Sequence, residues 1–314
     1  MKVTEHLANA TGPLISFEII PPKRGGDLAS LLALIEDLAS LHPTFIDITS
    51  HSAEVVYEDT PDGIRRRRTR KRPGTLGICA LIQNKLNIDA VPHVLCEGFT
   101  REETEDFLIE LHYLGIDNVL AVRGDSMGRE KRAAEGRTCN EHASDLIGQI
   151  SAMNHGRFLE DLADASPMDF CIGAAGYPEK HFEAPNLTAD VLRVKQKVEA
   201  GAEYVVTQMF FDNQRYFSFV DECRTQGIDV PIIPGLRILT NPRQLTSIPR
   251  SFHCEIPEAL AQEIESTPQH AREIGVTWAT DQARELLESG APSIHFFVLA
   301  SSKSVDAVLA GLDV

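Results

Sequence analysis

The feature that most constrains this 314-residue chain is an alternation. Short apolar runs are followed, one after another, by longer stretches with helical spacing. Strands are expected at 14–20 (LISFEII), 44–49 (TFIDIT), 92–96, 118–123, 169–175, 204–208, 230–234 and 293–299. Helices are expected at 27–41, 60–72, 188–200, 213–226, 241–248, 257–266, 270–289 and 303–312. A further helix runs to Leu114 behind the N-cap Thr100, with Glu103 at the capping-box position. Pro21-Pro22 closes the first strand, Pro73-Gly74 ends the helix at 60–72, and Gly115, Gly201 and Gly227 stand where helices stop. The segment 76–84 fits strand or helix. Apolar strands in βα repeats imply a parallel sheet covered on both faces. Eight such units fit a closed (β/α)8 TIM barrel, with a doubly wound open sheet as the alternative. No linker or internal repeat is visible, so residues 1–314 are read as one domain.

Composition narrows the function. With 43% hydrophobic and 24% charged residues the chain can build a sizeable core, which excludes disorder. No apolar run approaches the roughly 18 residues of a membrane helix, and residues 1–12 are too polar for a secretory signal. Thirty basic against 46 acidic residues give a net charge of −16, which argues against nucleic acid or an anionic membrane as partner. The six cysteines form no CxxC or zinc spacing, and the eleven histidines no HExxH. The expectation is a cytoplasmic protein with reduced, buried thiols and no metal site. The basic run at 65–72 (RRRRTRKR) would suggest nucleic acid if read alone. In an acidic chain, on a helix, it is read as a solvated face or an oligomer contact.

In a barrel the chemistry lies at the C-terminal strand ends. Those ends carry Glu18, Thr49, His93, Arg123, Asp125, Tyr177, Glu179, His181, Gln208 and Arg237. Glu18 is the sharpest, a carboxylate inside LISFEII. Burial there should raise its pKa and make it a general acid near neutral pH. The competing reading is a buried glutamate satisfied by an arginine. At 123–125 (RGD) the glycine permits close backbone approach to a ligand. GDSMG at 124–128 fits G-x-S-x-G, but no oxyanion segment of the HGGG type exists and a polar loop (126–140) follows, so a hydrolase is not supported. That loop should lie over the barrel mouth. Asp190, Arg193 and Lys197 share one helix face, either as a ligand site or as a solvated face.

Six motifs then stand in a familiar order: SFEIIPPK at 16–23, PHVLC at 92–96, AVRGD at 121–125, AGYPEKH at 175–181, TQMFFD at 207–212 and IPG at 233–235. Together they resemble the bacterial-type 5,10-methylenetetrahydrofolate reductases, over residues 16–299. The resemblance implies a barrel that binds FAD non-covalently. It implies reduction of 5,10-methylenetetrahydrofolate to 5-methyltetrahydrofolate with NADH or NADPH in a ping-pong cycle, within one-carbon metabolism and methionine biosynthesis. It implies a homo-oligomer. By matching motif, Glu18 is the general acid that opens the imidazolidine ring, and Asp125 lies beside both flavin and pterin. There its charge would disfavour an anionic reduced ring and so favour hydride donation. Gln208 contacts the pterin and Gln244 falls near the substrate. Thr49, His93, Arg123, Gly124, Asp125, His142, Ala143, Tyr177, His181, Asp190, Arg193 and Lys197 fall where the family contacts FAD. Arg193 replaces a common Asn and His142 a familiar Tyr. Ile248 stands where an aromatic residue can stack. The last strand reads HFFVLASS without the usual LNR, and Arg237 is the candidate substitute for that arginine. A folate- or flavin-binding barrel without reductase activity, acting as a partner-dependent subunit, is the second reading.

Overall fold

Strands without a polar face are stable only when covered on both sides, and the chain meets that demand by closing its sheet inside a ring of helices. The computed structural model describes residues 1–51, 54–69, 72, 74–124, 138–298 and 301–312, with the backbone alone at 54–57 and 66–69. The first third contains α1 (Val3–Asn9), β1 (Ile15–Ile19), α2 (Leu28–Ala39), β2 (Phe45–Ile48), β3 (Glu54–Thr60), β4 (Gly63–Thr69), α3 (Thr75–Leu86) and β5 (Asp89–Leu95). Then come α4 (Arg101–Tyr113), β6 (Asn118–Val122), α5 (Ala143–Asn154), β7 (Cys171–Gly176), α6 (Leu187–Glu199), β8 (Tyr204–Thr207) and α7 (Asn213–Thr225). The chain continues with β9 (Ile232–Ile233), β10 (Gly235–Leu236), α8 (Gln244–Phe252), α9 (Glu258–Ser266), α10 (Ala271–Glu288), β11 (Ile294–Val298) and α11 (Lys303–Ala310).

The parallel order is β10-β11-β1-β2-β5-β6-β7-β8-β9. β9 and β10 are two halves of one strand, divided at Pro234. The first half pairs with β8 and the second with β11, so the ring closes through this broken strand. Proline has no N–H for a ladder, which explains the break. The fold is therefore a (β/α)8 TIM barrel, and the open sheet is excluded. Phe45, Val91, Leu120, Cys171, Tyr204, Val206 and Ile233 fill the interior together with Val3 of α1. Phe17, Ile19, Ile46 and Ile48 face outward into the larger cluster beneath the helices.

Five elements differ from the sequence reading or were not assigned by it. Residues 60–69 do not form a helix, and 70 and 71 lie outside the described residues. β3 and β4 form an antiparallel hairpin with Thr60 opposite Gly63 and Glu58 opposite Arg65. Asp62-Gly63 is a turn signal, and Gly63 takes a φ of 120°. As far as Thr69 the arginine-rich run follows a strand, and the helical reading of that part is withdrawn. The ambiguous 76–84 lies within α3. No helix was assigned at α1 or α5. α1 closes the N-terminal end of the barrel: Val3 N–H donates to Asn118 Oδ1 at 2.8 Å, and the Met1 ammonium and His6 Nε2 meet Asp89 at 2.8 and 2.6 Å. The capping box of Thr100 and Glu103 is present, as expected.

α10 packs tightly on the segment after the broken strand. A Cβ on Gly275 would overlap the backbone carbonyl of Leu239, whereas one on Gly148 of α5 would meet nothing. Gly275→Ala should therefore destabilise the protein by about 1–3 kcal/mol through forced backbone displacement. Gly148→Ala should stabilise it by up to about 1 kcal/mol through helix propensity. Opposite shifts of the thermal midpoint are expected. Equal midpoints would contradict this packing.

Candidate active site

Alternation along β1 sends Phe17 and Ile19 to the helices and Glu18 inward. Glu18 is the register neighbour of Asp47 on β2. Asp47 is fully buried, as is His295 of β11, and His93 of β5 nearly so. His93 Nε2 lies 3.4 Å from Glu18 Oε2 and 3.5 Å from Asp47 Oδ2. His295 Nε2 lies 3.8 Å from Glu18 Oε2, and its Nδ1 is fixed by Ser16 Oγ at 2.8 Å. Glu18, Asp47 and His295 each bring one oxygen or nitrogen within 4.8 Å of the others. Arg237 is held beside them by a 2.8 Å bond to the Phe297 carbonyl. Both Asp47 oxygens, His93 Nε2, His295 Nε2 and the Tyr204 hydroxyl find no hydrogen-bond partner among the described residues. Buried polar atoms of that kind mark a place prepared for a ligand, water or proton exchange.

The electrostatics correct one expectation. Burial pushes the Glu18 carboxyl up, but His93, His295 and Arg237 outweigh it, and the group lies below the ordinary glutamate value. The apolar run around Glu18 suggested the opposite, because the compensating groups come from strands distant in sequence. For His93, burial works against the charged form, but Glu18 and Asp47 prevail and hold the imidazole above its ordinary value. Asp47 goes the other way from Glu18: burial raises its carboxyl, and His93 and His295 only partly offset this. These directions favour a proton on His93 over one on its neighbour Glu18. The group exchanges protons as a unit.

A second group lies at the ends of β6 and β7. Lys197 of α6 reaches back to the Ala175 carbonyl at 2.7 Å. Burial holds its amine down at about 8; Asp190 opposes this, while Arg193 and Arg123 reinforce it. Arg123 pairs with Glu183 at 2.7 Å. Asp190 accepts the His181 N–H at 2.8 Å, and Tyr177 stands edge-on to His181 with ring centroids 4.8 Å apart. Burial holds the His181 imidazole below its ordinary value. Gly124 has a φ of 92°, and a Cβ there would press on Glu97 at 3.0 Å. Three cations around a glycine turn, one of them with its charge disfavoured by burial, suit a dianionic ligand.

The model of the family described as methylenetetrahydrofolate reductase matches residues 2–313. The chain belongs to this family. Among its relatives, the Escherichia coli (strain K12) 5,10-methylenetetrahydrofolate reductase is 30% identical over 304 residues, covering 95% of this chain and 90% of the relative. The Pectobacterium carotovorum enzyme of the same name is 28% identical over 301 residues, covering 95% and 89%. Methylenetetrahydrofolate reductase (NADH) 1 of Arabidopsis thaliana is 30% identical over 330 residues; the match covers 99% of this chain and 51% of that protein. A solved Clostridium thermocellum protein, described as binding two copies of 5-methyl-5,6,7,8-tetrahydrofolic acid, shares the fold with a TM-score of 0.60. It is 15% identical, with 99% of this chain and 97% of that one covered. The chain is thus an oxidoreductase of the class that reduces methylenetetrahydrofolate. No helix among the described residues is long and apolar enough to cross a membrane.

Within this reductase barrel the sequence-derived residues fall into two gatherings. Glu18 and His93 meet in the proton-sharing cluster, and Arg123, Gly124, Tyr177, His181, Asp190, Arg193 and Lys197 surround the cationic turn. The hydroxyl of Thr49, just after β2, is buried and has no hydrogen-bond partner among the described residues. His142 and Ala143 open α5 and belong to neither group; His142 is exposed, 3.6 Å from Asp145. Gln208 Oε1 accepts the Met209 N–H at 2.9 Å. Gln244 Oε1 accepts from Thr240 N and Asn241 N at 2.6 and 3.0 Å, which tethers the loop before α8. Ile248 is buried with Met209, Phe211 and Leu239. Asp125 and most of the 126–140 loop lie outside the described residues. Asp47 and His295 escaped the sequence reading. Each is a lone polar residue in an apolar strand, the signal that singled out Glu18.

Lys197 should oppose folding while it is charged. Between about pH 8 and the ordinary lysine value of 10.5, the unfolded chain binds more protons at this site, so its penalty is full below pH 8 and fades as pH rises. Lys197→Met should raise the stability of the ligand-free protein at pH 7 by on the order of 1–2 kcal/mol. The gain should shrink toward pH 10. Denaturant midpoints at both pH values check this; a loss of stability at pH 7 would contradict it.

Proposed function

We propose that this chain is a single-domain, FAD-dependent reductase, spanning 1–314, that converts 5,10-methylenetetrahydrofolate to 5-methyltetrahydrofolate with NADH or NADPH. The carrying observation is the adjacency of Glu18 to His93, an imidazole whose charged form Glu18 and Asp47 favour, at the barrel's C-terminal end, where an acid is required. The cationic turn supports the cofactor: Arg123, Arg193 and Lys197 suit a pyrophosphate, Gly124 allows it close approach, and the Thr49 hydroxyl is unengaged. Tyr177, His181 and Asp190 stand around the same turn, and Asp125 continues it in sequence. When bound, FAD supplies two-electron hydride chemistry. NAD(P)H and folate would use one flavin face in turn, hence a ping-pong cycle. We assign FAD contacts also to His142 and Ala143, and folate contacts to Gln208 and Gln244.

The residues' own part is proton chemistry. Glu18 delivers a proton to the departing ring nitrogen of the folate, and the C–N bond electrons remain on that nitrogen. Loss of the ring leaves an iminium carbon open to hydride. Arg237, beside Glu18, supplies a cation near the place where the family's arginine is missing. Six free cysteines, five of them buried, support a reducing, cytoplasmic setting. A homo-oligomer is part of the proposal, by resemblance to the family.

Purified protein should show oxidised-flavin absorption that NADH or NADPH bleaches under anaerobic conditions. A colourless protein that FAD cannot reconstitute would overturn this reading and favour a folate-binding barrel. Glu18→Gln should retain flavin and its bleaching but slow folate reduction by roughly 10²–10⁴. Stopped-flow records of the two half-reactions separate the effects, and equal slowing of both would sink the assignment of Glu18.

A further inference from the structure

Asp47 is the buried titratable group that the proposed reaction leaves without a task. It is a fully buried carboxylate on β2 whose oxygens accept no hydrogen bond among the described residues. His93 Nε2 lies 3.5 Å from Asp47 Oδ2, and the same nitrogen is 3.4 Å from Glu18. Burying an acid that makes no structural hydrogen bond is unfavourable unless its charge acts on something. We propose that Asp47 is a positioning residue that keeps a proton on His93, so that Asp47 and His93 form the proton store behind Glu18. The inference rests on the reductase reading above.

The balance is one proton per turnover. The Nε2–H bond of His93 breaks as its proton passes to the Glu18 carboxylate, and the new Glu18 O–H bond breaks in turn as the folate nitrogen takes that proton and the ring C–N bond opens. The Glu18 carboxylate is restored and a neutral imidazole faces Asp47. Solvent returns one proton to His93 after product departs, matching the proton that the reduction consumes. Among the described residues, groups from several elements face this store. His295 of β11 and Arg237 after β10 oppose Glu18, while Cys79 of α3, Tyr204 of β8 and His295 border Asp47. None of these supplies the second negative charge that His93 needs, so removal of Asp47 leaves Glu18 alone to hold the imidazolium.

The sign follows directly. A negative charge beside His93 favours its protonated form, so the folate half-reaction should fail at higher pH with Asp47 than without it. In Asp47→Asn, which keeps shape, the alkaline limb should move down by on the order of one pH unit, a tenfold loss at pH above the limb. Limb and amplitude are read by mixing pre-reduced holoenzyme with methylenetetrahydrofolate from pH 5.5 to 9.5. Asp47→Ser serves as a second variant with the same expected direction. An alkaline limb at the wild-type pH in either folded variant, or a uniform loss at every pH, would overturn the proposal. The second outcome would mark Asp47 as merely structural. A wild-type protein with no folate half-reaction at all would instead overturn the reductase reading, so the two failures are distinguishable.

Discussion

A fully buried carboxylate, Asp47, and a mostly buried one, Glu18, stand side by side in a closed barrel, and the rest of the site depends on how their charge is accommodated. A lone ionised carboxylate in such an interior is costly enough that it would neutralise or unfold its surroundings. Glu18 and Asp47 instead face two imidazoles from β5 and β11, with Arg237 nearby. The four residues come from four different strands, so only a closed and correctly registered ring brings them together. Closure through the strand broken at Pro234 is therefore a condition of the chemistry. It places the start of β10 against β11, where His295 sits opposite Gly235.

The second group obeys the same logic with the opposite sign. Lys197 lies among Arg123 and Arg193, and the available carboxylates, Asp190 and Glu183, also bind His181 and Arg123. Held together in the ligand-free chain, these cations oppose folding. Natural proteins tolerate such strain where a ligand later relieves it. In the proposed reaction the cluster in the barrel serves proton supply and the positive turn at its rim serves anion retention.

Much of this was legible in the sequence. Eight apolar runs in βα order gave the barrel, and the Thr100–Glu103 capping box was readable as written. Glu18 stood out because a strand of Leu, Ile and Phe has no other use for a carboxylate. Its pKa direction was not legible, since His93, His295 and Arg237 approach only after folding. The stretch 60–69 has the look of a solvated helix in the sequence because its basic run is dense, whereas the Asp62-Gly63 turn lets it pair with 54–60 as a hairpin. α1 was overlooked because seven residues with one buried position carry almost no periodic signal. Its role comes from long-range bonds to Asn118 and Asp89. Asp47 lay in plain view in TFIDIT but lacked the Pro-Pro punctuation that drew notice to Glu18.

The charge state of His93 tests the central claim most directly. In protein labelled with ¹⁵N at its imidazoles, with the His93 resonances assigned by their loss in His93→Gln, a pH titration reports that state without any turnover. The account predicts that His93 remains an imidazolium at pH 6.5 and titrates above it, held by Glu18 and Asp47. A neutral imidazole at pH 6.5, titrating below that value, would contradict the account, for the cluster would then hold no proton to give.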